Sequence, residues 1–301
     1  MRNDVAPPAL SRSIKKRPDT AKPIVATLVL IVCFYKAGAF GAGQTLIKPE
    51  AVPVYQPKHF PYEAGEKAVY RASWNGLVSV ATAEISTVPT VIDGKKVYQV
   101  QVDAKSSRVL DFIWKMRDTI TSTFDANALL PARFTFSQRE NSKIIDTEAR
   151  LDHTRKRWEV NRQQAGKQPK IYEFDAQNTL DPITAVYLAR SVDFKVGDRL
   201  YFKVFGGRYQ YLLELFVEKK EPLELASGKI DAYRIIPRIQ NLTKNGYAER
   251  LNEATIWISA DERRLPVRLS SKIAFGSVHL ELVQDKRTTE STAVDPNRPA
   301  S

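Results

Sequence analysis

The chain has 301 residues, 43% of them hydrophobic and 27% charged, with a formal net charge of +12 and one cysteine. This composition supplies a core for one large domain or two ordinary ones and excludes an intrinsically disordered protein. The single cysteine, Cys33, excludes an internal disulfide and any multi-thiolate metal site.

The N-terminus runs from a basic stretch, RSIKKRPDTAKP, through the apolar IVATLVLIVCFY to the small residues KAGA, the order of a secretory signal cleaved near Ala39. The apolar run has twelve residues, short of the roughly 20 that span a bilayer. Retention as an N-terminal anchor is the alternative. Val32 precedes Cys33, which disfavours a lipoprotein signal. A mature chain without cysteine fits an exported bacterial protein of the periplasm. Without residues 1–39 the chain keeps 39 basic and 32 acidic residues, a net of +7. Charges of both signs alternate along RLDHTRKRWEVNRQQAGKQPK, a solvated face. Its small cationic excess suits an anionic lipid surface or acidic glycan, and a nucleic-acid partner is not expected outside the cytoplasm.

Residues 40–61 are rich in Pro, Gly and Ala and predict an extended lead-in. From Tyr62 the pattern is of strands. KAVYRASW and LVSVATAEISTV flank Asn75-Gly76, and Asp93-Gly94 leads into KKVYQVQVDAKS, two-residue hairpin signals that need positive φ. Period-two alternation continues through DTITSTFD, ARFTFSQRE, KIIDTEARLD, RKRWEV and KIYEFD. SSRVLDFIWKM predicts a short helix. A clearer one is DPITAVYLARS, where Asp181 is placed to cap and Pro182 to occupy the first turn.

Beyond it, RLYFKV and YQYLLELFVEKK are joined at Gly206-Gly207 and followed by KIDAYRIIPRI and ERLNEATIWIS. In YQYLLELFVEKK both faces are apolar, so that strand needs cover on both sides, with DPITAVYLARS as one candidate. The stretch from Ile256 to Val283 forms a last meander. Its inner face is Ile256, Ile258, Val278, Leu280 and Leu282, and its ADERR connection is expected to be solvated. Residues 286–301 are polar and predict a disordered tail.

The fold class read from this pattern is all-β: a mainly antiparallel curved sheet, barrel-like or in two sheets, with one or two short helices. One domain spans 62–285, with 176–197 the place where two halves would join. A curved sheet closed over a helix is one route to an apolar cavity.

No HExxH, GxSxG, phosphate loop or dinucleotide fingerprint occurs, and His59, His153 and His279 are too dispersed to predict a metal site. No cofactor is expected. The candidate ligand-binding residues are Trp114, Arg117 and Asp118, at the junction of the first helical segment with DTITSTFD, and Tyr187 and Arg190 on the second helix. Trp114 and Arg117 could hold a lipid headgroup or a sugar by stacking and charge. Packing explains the same residues as core anchors and separately paired charges.

The segments AKSSRVLDFIWKMRDTITSTFD, ENSKIID, LDPITAVYLARS, FKVGD and DERRLPVRLSSKIAFGSVHLELV resemble, in order, the successive blocks of a bacterial envelope family, the domain of unknown function 3108. The resemblance implies an exported, mostly β protein and implies no catalytic residues. IWISADERRLPVRL is also similar, over that hairpin only, to periplasmic lipoprotein carriers with an open half-barrel.

The expectation is a non-enzymatic periplasmic protein of the cell envelope. It would bind an apolar or amphipathic ligand, lipid or lipid-linked glycan, with peripheral contact to the membrane. A carbohydrate-active enzyme or glycan-binding protein is one alternative, and a structural partner of an outer-membrane assembly is another. The oligomeric state is left open.

Overall fold

The structure, a computed structural model, describes residues 47–287 apart from 63–64, 153, 244–247, 251–252 and 273–275. The expected signal segment, His153 and the tail beyond Arg287 lie outside the described residues.

The first half of the chain is a meander. It consists of β1 (Glu66–Trp74), β2 (Val78–Ile92), β3 (Lys95–Ser106), β4 (Arg117–Asp125), β5 (Pro131–Glu140), β6 (Lys143–Asp152), β7 (Arg157–Gln164) and β8 (Lys170–Asp175). A short β9 (Thr179–Leu180) then leads into the helix α1 (Pro182–Ser191). The second half contributes β10 (Arg199–Phe205), β11 (Gln210–Leu225), β12 (Gly228–Asn241), β13 (Ala248–Arg250), β14 (Thr255–Ser259), β15 (Pro266–Lys272) and β16 (Ser277–Arg287).

Both halves belong to one sheet of order β8-β7-β6-β5-β4-β3-β2-β1-β16-β15-β14-β12-β11-β10-β9, with β13 beside β12. β9 lies parallel to β10, and the other pairings among the described residues are antiparallel. The sheet curls until its two edges nearly meet in a barrel-like shape. Side chains tie them. Lys203 Nζ lies 3.2 Å from Asp175, the Trp158 indole donates to the Thr179 carbonyl at 3.0 Å, and Gln210 donates to the Asp175 carbonyl at 3.4 Å.

Local chemistry sets the turns. Asn75 and Gly76 have φ of 50° and 73°, and Asp93 and Gly94 have 51° and 74°, the left-handed pairs that the Asn-Gly and Asp-Gly signals predict. α1 begins as its sequence indicates: Asp181 accepts from the amides of Ile183 and Thr184 at 2.8 and 3.0 Å, and Pro182 fills the first turn.

α1 lies inside the curl, buried on nearly every side. Leu188, Ile183, Leu215, Val217, Phe202 and Val100 share one apolar cluster, so the helix covers the inner face of β11. The outer face is covered by the lead-in, because Leu212 is fully buried against Val52 and Ile47. The lead-in is thus docked as well as extended. Tyr55 Oη accepts from the Tyr201 amide at 2.9 Å, and the amides of Lys58 and His59 both donate to the Ser191 carbonyl, at 2.7 and 3.1 Å.

Rings fill the space between helix and sheet. Tyr62 sits 4.6 Å from Tyr187 and 5.1 Å from Tyr98, and Phe124 lies 5.3 Å from Tyr187, centroid to centroid. This part of the interior is packed with aromatic side chains where an apolar cavity was an expectation.

Two segments differ from the sequence reading. SSRVLDFIWKM forms a single 3-10 turn, Leu110–Phe112, in the β3–β4 connection. Val109, Phe112 and Ile113 are exposed, so tertiary packing does not support a longer helix there. ERLNEATIWIS divides into β13 and β14, with Glu253 at a φ of 52° between them. The last meander has the expected inner face: Ile258, Val278, Leu280 and Leu282 are buried and Ile256 is half-buried. In its connection Asp261 and Glu262 are exposed, whereas Arg263 and Arg264 are half-buried. The Arg264 guanidinium lies over the Phe194 ring at 5.0 Å, and the Arg263 carbonyl accepts from Arg190 at 3.1 Å.

Candidate functional site

The β3–β4 connection is a clasped loop. Arg117, first in β4, donates to both Asp111 oxygens, at 3.1 and 2.6 Å, and to Ser106 Oγ at 3.1 Å, while Ser106 Oγ also meets Asp111. The Arg117 hydrogen bonds, then that of Ser106, hold the Asp111 carboxyl at about 2, well below the ordinary range. Asn141, in the β5–β6 turn, brackets the same loop: its amide donates to the Lys115 carbonyl and its side-chain oxygen accepts from the Lys115 amide, both at 2.8 Å.

Within the clasp the apolar residues divide. Leu110 and Trp114 turn inward onto the cluster built by Val80, Ala81, Met116, Val278 and Leu280. Val109, Phe112 and Ile113 turn outward, 79%, 94% and 81% exposed. Spacings of i, i+4 inward and i, i+3, i+4 outward are those of one helical turn with two apolar sides.

One residue past Arg117 the chain turns inward. Asp118 is 2% exposed on the inner face of β4. Its Oδ1 accepts from the Arg139 amide at 2.7 Å, and its Oδ2 has no hydrogen-bond partner among the described residues. Burial, against the opposing Arg139 hydrogen bond and with the Glu140 charge adding, pushes its carboxyl up to about 6. Buried Glu140 accepts from Gln138 at 3.3 Å and pairs with Lys143 at 3.2 Å. The barrel wall here thus carries three inward polar side chains, Asp118, Gln138 and Glu140, one of which keeps a spare acceptor.

Tyr187 and Arg190 lie elsewhere, on α1. Arg190 makes a bidentate pair with Glu66 of β1 at 2.5 and 2.9 Å, and its guanidinium sits 5.2 Å from the centroids of both the Tyr62 and Tyr187 rings. Burial alone would lower its pKa, and the Glu66 carboxylate outweighs that and holds it above the ordinary arginine value. Tyr187 Oη also meets Thr87 Oγ1. These contacts brace the helix against β1 and β2.

The five residues singled out from sequence therefore form two groups: Trp114, Arg117 and Asp118 at the β3–β4 junction, and Tyr187 with Arg190 in the brace. Sequence reasoning missed Glu66, Gln138 and Glu140. The last two were findable, since they continue the inward phase of Phe134 and Phe136 along β5. Glu66 had no local signal. Among the described residues no group of His, Cys, Asp or Glu is arranged to hold a metal ion. His59 pairs with Asp193 at 2.6 Å, and His279 meets Ser277 Oγ at 2.8 Å.

A family described as Protein of unknown function (DUF3108) matches residues 69–283. No curated protein matches the chain. Among solved structures, a β-barrel-like protein of the domain of unknown function DUF1849 from Brucella abortus is 9% identical, with TM-score 0.44, over 73% of this chain and 96% of its own. A protein from Bacteroides fragilis described as exported, with a YmcC-like fold, is 7% identical, with TM-score 0.35, over 76% of this chain and 99% of its own. A protein from Parabacteroides distasonis described as a lipoprotein is 9% identical, with TM-score 0.35, over 77% and 100%. At such TM-scores none of the three defines this chain's topology.

Proposed function

For a chain that belongs to the DUF3108 family, whose description assigns no chemistry, we propose a periplasmic protein of the cell envelope that binds an amphipathic ligand, lipid or lipid-linked glycan, without turning it over. The observation that carries this reading is the junction at Asp118. A buried carboxylate with a spare oxygen adjoins, within one short stretch, the inward apolar residues Leu110 and Trp114. A polar head that donates a hydrogen bond would satisfy Asp118 Oδ2, and an apolar portion would lie against the turn. Export is supported by the basic, apolar and small-residue order before Ala39.

The carbohydrate-active alternative has one observation in its favour, the raised Asp118 carboxyl with a second buried carboxylate, Glu140, beside it. Native mass spectrometry of protein purified from the periplasm separates the two. The binding reading expects a co-purified species of lipid mass, diminished in Asp118→Asn. A protein that carries no such species but cleaves a glycan, with activity lost in both Asp118→Asn and Glu140→Gln, would overturn it.

A further inference from the structure

We propose that the β1–β2 hairpin and the β3–β4 connection together form a docking surface for an anionic lipid bilayer. The two are one surface, since the Ser107 amide at the start of the connection donates to the Val80 carbonyl near the start of β2 at 2.8 Å. On it Leu77 is 87% exposed and Val78 52%, beside the outward Val109, Phe112 and Ile113.

These side chains stand on fixed supports. The connection is closed by the Asp111–Arg117 clasp and bracketed by Asn141. The hairpin tip is held to β16: the Asn75 amide donates to the Ser277 carbonyl, and Asn75 Oδ1 accepts from the Ser277 amide, both at 2.8 Å. Gly276 makes that contact feasible, because a Cβ there would collide with the Asn75 side chain. The core requirement of the 3-10 turn is already met by Leu110 and Trp114, so folding does not explain three large apolar groups on its other side.

Charge decides the partner. The stretch from Lys105 to Arg117 holds Lys105, Arg108, Lys115 and Arg117 against one carboxylate, Asp111, a net of +3. Arg117 takes up Asp111, whereas Lys105, Arg108 and Lys115 are exposed and form no ion pair among the described residues. Lys105 is directly across the ladder from Arg117, which concentrates the cations at the base of the apolar tip. An apolar tip inside a cationic collar matches a boundary where acyl chains lie beneath phosphate groups. The contact does not depend on the ligand proposed at Asp118.

Co-sedimentation of the periplasmic protein with phosphatidylcholine vesicles, with and without phosphatidylglycerol, tests this. The wild type should bind the phosphatidylglycerol vesicles at least ~10-fold more tightly than the neutral ones and weaken as salt rises. Phe112→Ser/Ile113→Ser should lower binding at least ~10-fold with an unchanged thermal melt, since both side chains are exposed. Lys105→Gln/Arg108→Gln/Lys115→Gln should erase the preference for phosphatidylglycerol. A wild type that stays in the supernatant, or a tip variant that binds as well as wild type, overturns the proposal. So does a protein that ignores vesicles but self-associates through the tip, shown by a tip variant that turns monomeric. Vesicle binding lost while a lipid still co-purifies would refute docking and leave the ligand at Asp118 intact.

Discussion

At Asp118, burial and the neighbouring Glu140 raise a carboxyl to about 6 from an unfolded value near 3.9. Between those two values the folded chain holds a proton that the unfolded chain has released. Stability from this group therefore falls as pH rises through that window and is level above it. Asp118→Asn should flatten the fall, and its denaturant midpoint above pH ~6 should exceed that of wild type if no ligand occupies the site. Arg190 is the opposite case, a buried charge already satisfied. Its removal strands the Glu66 carboxylate among Tyr62, Tyr70 and Tyr187, so Arg190→Ala should cost about 3 to 5 kcal/mol in urea unfolding. Replacing both partners by apolar residues should recover much of that loss.

Among elements, the β14–β15–β16 meander supplies core from its inner face. Ile258 is 5% exposed, and Ile258→Ala should cost about 2 to 5 kcal/mol. Glu262 is exposed in the connection, and Glu262→Ala should change stability by less than about 0.5 kcal/mol. Urea unfolding curves of the two variants check both. These elements were legible because alternation and turn chemistry act over a few residues: Asn75-Gly76, Asp93-Gly94 and the Asp181 cap each carry their own reason. The 106–116 segment was misread because its apolar residues point both ways, Leu110 and Trp114 inward and Phe112 and Ile113 outward. No periodicity distinguishes core from exposed tip when both are apolar. Half of the candidate site was visible for the same reason. Trp114, Arg117 and Asp118 share one stretch of chain, but the Glu66 partner of Arg190 is 124 residues away and becomes its neighbour only through closure of the sheet.

At the scale of the whole molecule, one continuous sheet brings the first and last strands together. β1 pairs with β16 from Glu66↔Arg287 to Trp74↔Val278, so the strand extends two residues into the segment expected to be tail. The interior beside α1 is filled by rings, whereas the proposed ligand site lies on the polar inner wall at Asp118, Gln138 and Glu140. Export is checked by the intact mass of protein recovered from a periplasmic fraction, which should lack Met1 to about Ala39. A retained segment would mean an anchor.

Hydrogen exchange of the purified protein, with and without a total lipid extract of the cell envelope, tests the location of function most directly. The account predicts added protection over 105–118 and at the 74–78 hairpin, with the 226–227 and 260–265 connections at the far ends of their strands unchanged. Protection centred on those far connections or on the β8 edge, or no protection at all, would contradict it.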